Sequence, residues 1–156
     1  MEFNNAVNIV LKHEGGHVND DRDPGGETKF GISKRSYPNE DIKNLTKARA
    51  REIYFDDYWV KMKCDEMPPQ CRLLLFDGAV NHGVGLMSLI LQRALGVTAD
   101  GVIGPVTIGA AKNISADRLA IRLAQARAQI YRKNRNFFVY GRGWLNRLVD
   151  VVYRSR

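Results

Sequence analysis

The chain has 156 residues, 44% hydrophobic and 26% charged, which excludes a disordered tract and fits one sizeable core better than two independent ones. Its net charge of +7 points to an anionic partner: nucleic acid, acidic lipid or a carboxylate-bearing cell-wall polymer. The opening Met1-Glu2-Phe3-Asn4-Asn5 has neither a basic start nor an apolar run, so no signal peptide or spanning helix is readable and synthesis as a cytoplasmic protein is expected.

The first predicted helix carries Phe3, Val7, Val10 and Leu11 at i, i+4, i+7 and i+8, and Glu14 falls on the same stripe. This glutamate therefore points toward the core, and Gly15-Gly16 stops the helix behind it. Burial and the helix C-terminal dipole both disfavour its charge, which is how a carboxylic acid is kept as a proton donor near neutral pH. The bland alternative is a solvated glutamate at a helix end. His13-Glu14-x-x-His17 also spells the H-E-x-x-H string of zinc peptidases. That chemistry needs an unbroken helix, and Gly-Gly inside it costs roughly 2 kcal/mol relative to alanine.

The stretch from Val18 to Gly31 is dense in Asn, Asp, Gly and Pro, and reads as loop with a short hairpin near Thr28 to Ile32. Asp20, Asp21, Asp23 and Glu27 offer a second carboxyl group; a calcium loop competes, but the spacing departs from the EF-hand pattern. Thr46 caps a predicted helix running to about Trp59 with Ile53 and Tyr54 inward. Asp56 and Asp57 read as its solvated face. Tyr54, Tyr58 and Trp59 serve either as core or as a sugar-binding platform.

Cys64 and Cys71 flank Pro68-Pro69; two cysteines make no disulfide scaffold, their spacing fits no zinc motif, and reduced thiols are the default. Pro68-Pro69 starts a helix with Leu73, Phe76, Asp77 and Val80 on one stripe, ended by Asn81-His82-Gly83. Asp77 on that stripe needs a partner, because an unpaired buried carboxylate is costly, and a structural hydrogen bond is expected to supply it. Another helix runs from Val84 to Leu95 and closes at Gly96, and helix resumes around Ile108. From Arg118 onward, ten Arg and Lys residues face a single acid, Asp150. Leu119, Leu123, Ala126 and Ile130 form one amphipathic face, and Trp144, Leu145, Leu148, Val151 and Val152 another. The arginines read as solvated, or as a guide to an anionic wall or membrane.

Glu14-Gly15-Gly16, Asp23-Pro24-Gly25-Gly26-x-Thr28-x-x-Gly31-Ile32, Leu45-Thr46 and Ile53-Tyr54-x-x-x-Tyr58-Trp59 resemble glycoside hydrolase family 108, the phage-type endolysins and related bacterial muramidases. Downstream, Asn81-His82-Gly83, Leu91-Gln92-Arg93-Ala94-Leu95-Gly96, Asp100-Gly101-x-Ile103-Gly104-Pro105-x-Thr107 and Gly143-Trp144-Leu145-Asn146-Arg147 are similar to the peptidoglycan-binding region that follows in that family. His17 stands where the family commonly has tyrosine.

The resemblance implies a mainly α, lysozyme-like helical fold with a short loop or hairpin around residues 18–32. It implies a catalytic part over residues 1–75 and a peptidoglycan-binding part over 76–156, packed as one unit. The implied reaction is hydrolysis of the β-1,4 bond between N-acetylmuramic acid and N-acetylglucosamine, with Glu14 as proton donor. Similarity to phage-type lysozymes adds Asp23 and Thr28, which would hold a water on the opposite sugar face. Bacterial peptidoglycan is the expected partner, with contact between the basic C-terminal helix and an anionic outer membrane. No nucleic acid, metal or cofactor is called for, a monomer is expected, and a holin or other export route would bring the protein to the wall. Two readings compete: a zinc-dependent wall peptidase, with His82 as third ligand beside His13 and His17, and a non-catalytic wall-binding protein.

Overall fold

The computed structural model describes residues 1–14 and 27–156. Among the described residues it is mainly helical and lysozyme-like, with seven α-helices and one two-stranded antiparallel sheet. Helix α1, Phe3–Glu14, buries Ala6, Val7, Val10 and Leu11, as its stripe requires. Strands β1, Thr28–Lys29, and β2, Ile32–Ser33, pair Thr28 with Ser33 and Lys29 with Ile32. Phe30 and Gly31 between them have φ of 53° and 77°. Both positive values make this the tight two-residue turn that matches strand twist, and a left-handed Phe30 costs about 1 kcal/mol. The Tyr54 hydroxyl offsets that strain by donating to the Phe30 carbonyl at 2.8 Å.

Helix α2, Lys47–Tyr54, starts at Thr46, whose Oγ1 accepts from the Arg49 amide at 3.1 Å. From Phe55–Val60 the chain winds as a π-helix. Its wider turns, with i to i+5 bonding, bring Trp59 as well as Tyr54 inward. A short 3-10 turn, Cys64–Glu66, leads to α3, Pro69–His82, the helix on which the rest is hung. It packs against α1, α4 (Val84–Leu95), α6 (Ala116–Lys133) and α7 (Phe137–Arg154). Phe76 at its middle meets Phe3, Tyr54 and Trp59 edge-on, with ring centroids 5.9, 6.1 and 5.5 Å away. Such geometry is the favoured one for aromatic quadrupoles.

Between α4 and α5 (Pro105–Asn113), the loop is tied by a buried side chain, Gln92. Gln92 Nε2 donates to Asp100 Oδ1 at 2.7 Å and to the Val102 carbonyl at 3.0 Å, and its Oε1 accepts from the Gly101 amide at 2.8 Å. The Leu91-Gln92 and Asp100-Gly101 motifs are thus two halves of one loop clamp. Cys64 and Cys71 are buried free thiols; burial pushes Cys71 up to about 11 and Cys64 higher still.

The C-terminal helices correct one expectation. The buried face of α6 is Leu119, Leu123, Arg127 and Tyr131: the two leucines lie on it as expected, while Ala126 and Ile130 are only partly buried at its margin. Arg127 is wholly buried, and the Arg147 side chain is 14% exposed. Two arginines read as solvated are therefore interior groups, because Asp77 of α3 is there to receive them.

Candidate active site

Glu14 is the last residue of α1, and its side chain is 19% exposed. Three elements close around it. From α7, Arg147 Nη2 comes to 2.7 Å from Glu14 Oε1. From the hairpin, the turn glycine lies so close that a Cβ built on Gly31 would stand 2.6 Å from Glu14 Oε2 and 2.6 Å from the Tyr54 hydroxyl. From α2, Tyr54 itself supports that turn. Only glycine combines this φ with this approach.

Behind Arg147 lies a buried polar cluster. Asp77 is fully buried; its Oδ1 accepts from Arg147 Nε at 2.8 Å, and its Oδ2 accepts from Arg127 Nη2 at 2.5 Å. Arg127 also donates to the Leu74 carbonyl at 3.3 Å and to the Tyr131 hydroxyl at 3.2 Å. Two carboxyl groups and two guanidiniums thus alternate from Glu14 inward. Burial works against charge on Arg147, but Asp77 and then Glu14 outweigh it and hold the guanidinium above its ordinary pKa. Burial, followed by the charge of Glu14, pushes the Tyr54 hydroxyl far above the usual tyrosine range. Asp77 has the partner its position demanded, and it is ionic.

The same side of α7 makes a second grip one turn on. Asp150 Oδ2 lies 2.9 Å from His13 Nε2, while Arg154 Nε donates to both Asp150 oxygens at 2.8 and 2.9 Å. The last turn of α1 is therefore held by α7 through two consecutive residues, His13 and Glu14. His13 is engaged with Asp150, and the His82 ring lies tilted against Tyr131 at 5.1 Å. His17, Asp20, Asp21 and Asp23 lie outside the described residues, and so does the continuity the H-E-x-x-H string needs. Among the described residues no three His, Cys, Asp or Glu side chains are grouped to hold a metal ion.

Thr28 is half-buried in β1, on the hairpin whose turn meets Glu14. Of the three aromatic candidates, Trp59 has no exposed surface and packs between Phe3 and Phe76, so its ring belongs to the core and not to a sugar platform. Tyr54 is 1% exposed and acts through the hairpin, while Tyr58 is half-buried beside it at 5.6 Å. Asp57 is tied to Lys61 at 2.6 Å and to the Tyr37 hydroxyl at 3.0 Å; Lys61 foremost holds its carboxyl below the usual range. Sequence reading missed Arg127 and Arg147. The signal was the lone Asp77 on an apolar stripe, which requires a cation from elsewhere in the chain.

The described residues form a lysozyme-like helical fold in which a carboxyl group lies where the first helix meets a small hairpin. The model of the glycosyl hydrolase 108 family matches residues 7–83, and that of a predicted peptidoglycan domain matches 87–149. The solved structure of Brucella abortus SagA is similar at a TM-score of 0.88 and 33% identity, over 98% of this chain and 92% of that one. No curated protein matches. The chain belongs to the glycosyl hydrolase 108 family and carries that family's peptidoglycan-binding region.

Proposed function

We propose that this peptidoglycan hydrolase is an N-acetylmuramidase that cleaves the β-1,4 bond from N-acetylmuramic acid to N-acetylglucosamine, with Glu14 as general acid. The observation that carries this reading is the position of Glu14, a carboxyl group at a helix end held by Arg147 on one side and by the Gly31 turn on the other; the ion pair with Arg147 opposes the effect expected of burial and the helix end on its charge, so the reading rests on position. A general acid must be held within hydrogen-bond reach of one leaving oxygen, and these contacts restrict where that oxygen can sit.

In this mechanism Glu14 protonates the glycosidic oxygen while Asp23 and Thr28 hold a water on the opposite face. Inversion follows if the Glu14 and Asp23 carboxyl groups stand about 6.5 to 9.5 Å apart, and retention if the separation is near 5 Å. Thr28 sits on the hairpin that contacts Glu14, which supports its place beside the scissile bond. The proposed catalytic part over residues 1–75 and wall-binding part over 76–156 share α3, and Glu14 of the first is held by Arg147 of the second.

Mass spectrometry of the soluble products from purified peptidoglycan tests the bond. Reducing N-acetylmuramic acid ends support the proposal. New peptide amino termini without new reducing ends would reassign the chain to the peptidase reading, and wall binding with no product would leave a binding protein.

A further inference from the structure

Arg147 fixes which side of α7 faces Glu14, and that side continues in aromatic residues. Trp144 and Tyr140 lie three and seven residues before Arg147, so all three share one helical face. The row extends about 10 Å along the helix axis from Arg147.

The rings form a continuous row of contacts. Tyr140 and Trp144 have centroids 5.9 Å apart at 36°, Trp144 lies on Tyr131 at 5.5 Å and 29°, and Tyr131 meets His82 at 5.1 Å. The inner end is rigid: Tyr131 is 5% exposed, and its hydroxyl accepts from Arg127, which is bound to Asp77. The outer end is open. Tyr140 is 56% exposed, whereas Trp144 is half-buried and packs against the core, so Tyr140 is the ring that meets solvent.

We propose that Tyr140, backed by Trp144, forms a stacking subsite for an N-acetylhexosamine ring of the glycan strand on the face of α7 that carries Arg147; this rests on the hydrolytic reading above. The axial C–H face of a pyranose packs on an aromatic face. A ring that holds sugar on the helix face carrying Arg147 adds binding that positions the glycan strand. The subsite takes the role that Trp59, buried in the core, cannot fill.

The chain has two tryptophans, and Trp59 is inaccessible, so a ligand that changes tryptophan emission reports Trp144. The test titrates the Glu14→Gln protein with an uncross-linked tetrasaccharide of alternating N-acetylglucosamine and N-acetylmuramic acid. Phe138→Ala is the control: Phe138 is 99% exposed on the opposite side of α7 from Arg147.

A saturable emission change is expected, weakened about tenfold by Tyr140→Ala. Tyr140→Phe and Phe138→Ala should match the parent. In the Glu14-intact protein, Tyr140→Ala should raise KM on peptidoglycan by a similar factor with kcat little changed. Unchanged emission, together with Tyr140→Ala behaving as Phe138→Ala does, overturns the subsite even if the wall is cleaved. Binding through Tyr140 by a wild-type chain that releases no sugar overturns the hydrolytic reading and keeps the subsite.

Discussion

Arg147 Nη2 lies 2.7 Å from Glu14 Oε1 and 2.8 Å from Asp77 Oδ1, so one guanidinium joins the end of the first helix to the buried acid of the central one. The position of Glu14 thereby depends on residues from the C-terminal half of the chain. Arg147 is a positioning residue in this account, and its loss should act on turnover more than on wall binding. Arg147→Met is expected to lower kcat on peptidoglycan about 10²-fold, the scale of a misplaced catalytic group. Arg147→Lys should recover only part of this, because a point charge cannot bridge two carboxylates as a planar fork does. Steady-state kinetics, with sedimentation of the protein on intact wall, separates the two effects; equal losses of binding and turnover would contradict the assignment.

Gly31 is the second restraint on Glu14. A Cβ there would meet both Glu14 Oε2 and the Tyr54 hydroxyl at 2.6 Å, at a φ of 77° that an L-residue adopts with strain. Gly31→Ala should reduce activity by about tenfold or more through displacement of Glu14. The backbone strain itself should destabilise the fold by only about 1–2 kcal/mol. A Gly31→Ala protein with full activity would show that the hairpin turn does not confine the acid.

These two contacts differ in how far they could be read from the sequence. The stripe Phe3, Val7, Val10, Leu11, Glu14 was visible as helical period, and Pro69, Gly83 and Gly96 marked helix ends because their backbone limits are local. Asp77 was recognisable as a buried acid in need of a partner. Which cation answers it was not, since an arginine on an amphipathic helix looks the same whether it faces water or a distant carboxylate. For Trp59 the sequence left core and sugar platform both open, and burial decides for the core. The switch to π winding after Tyr54 rotates the following residues, and no propensity announces such a switch.

The Asp77–Arg127 pair is fully buried on both sides. Removing one partner leaves a charge in the interior, so Arg127→Met should destabilise the protein by about 3–5 kcal/mol. Urea unfolding followed by circular dichroism measures this; a change below about 1 kcal/mol would mean that Arg147 alone satisfies Asp77.

His82 gives the fold a pH dependence. Burial, and then the neighbouring Arg127, lowers its pKa from 6.5 to about 4. Between these values the unfolded chain binds the proton that the folded chain excludes, so stability rises with pH. The contribution of neutral His82 is complete above about 6.5 and is lost as pH falls through about 4. His82→Phe keeps an aromatic ring on Tyr131 and removes the titration. The urea midpoint of wild type relative to His82→Phe should therefore fall between pH 7 and pH 4; a constant difference would show that His82 does not titrate in this window.

Glu14→Gln is the most direct test of the central claim, because it preserves shape and a hydrogen-bond acceptor and removes the transferable proton. With the circular dichroism spectrum and wall sedimentation unchanged, release of reducing ends from peptidoglycan should fall by about 10²–10⁴-fold, the contribution expected of a general acid. Release within a few-fold of wild type would remove Glu14 from the chemistry and leave its contact with Arg147 as part of the scaffold.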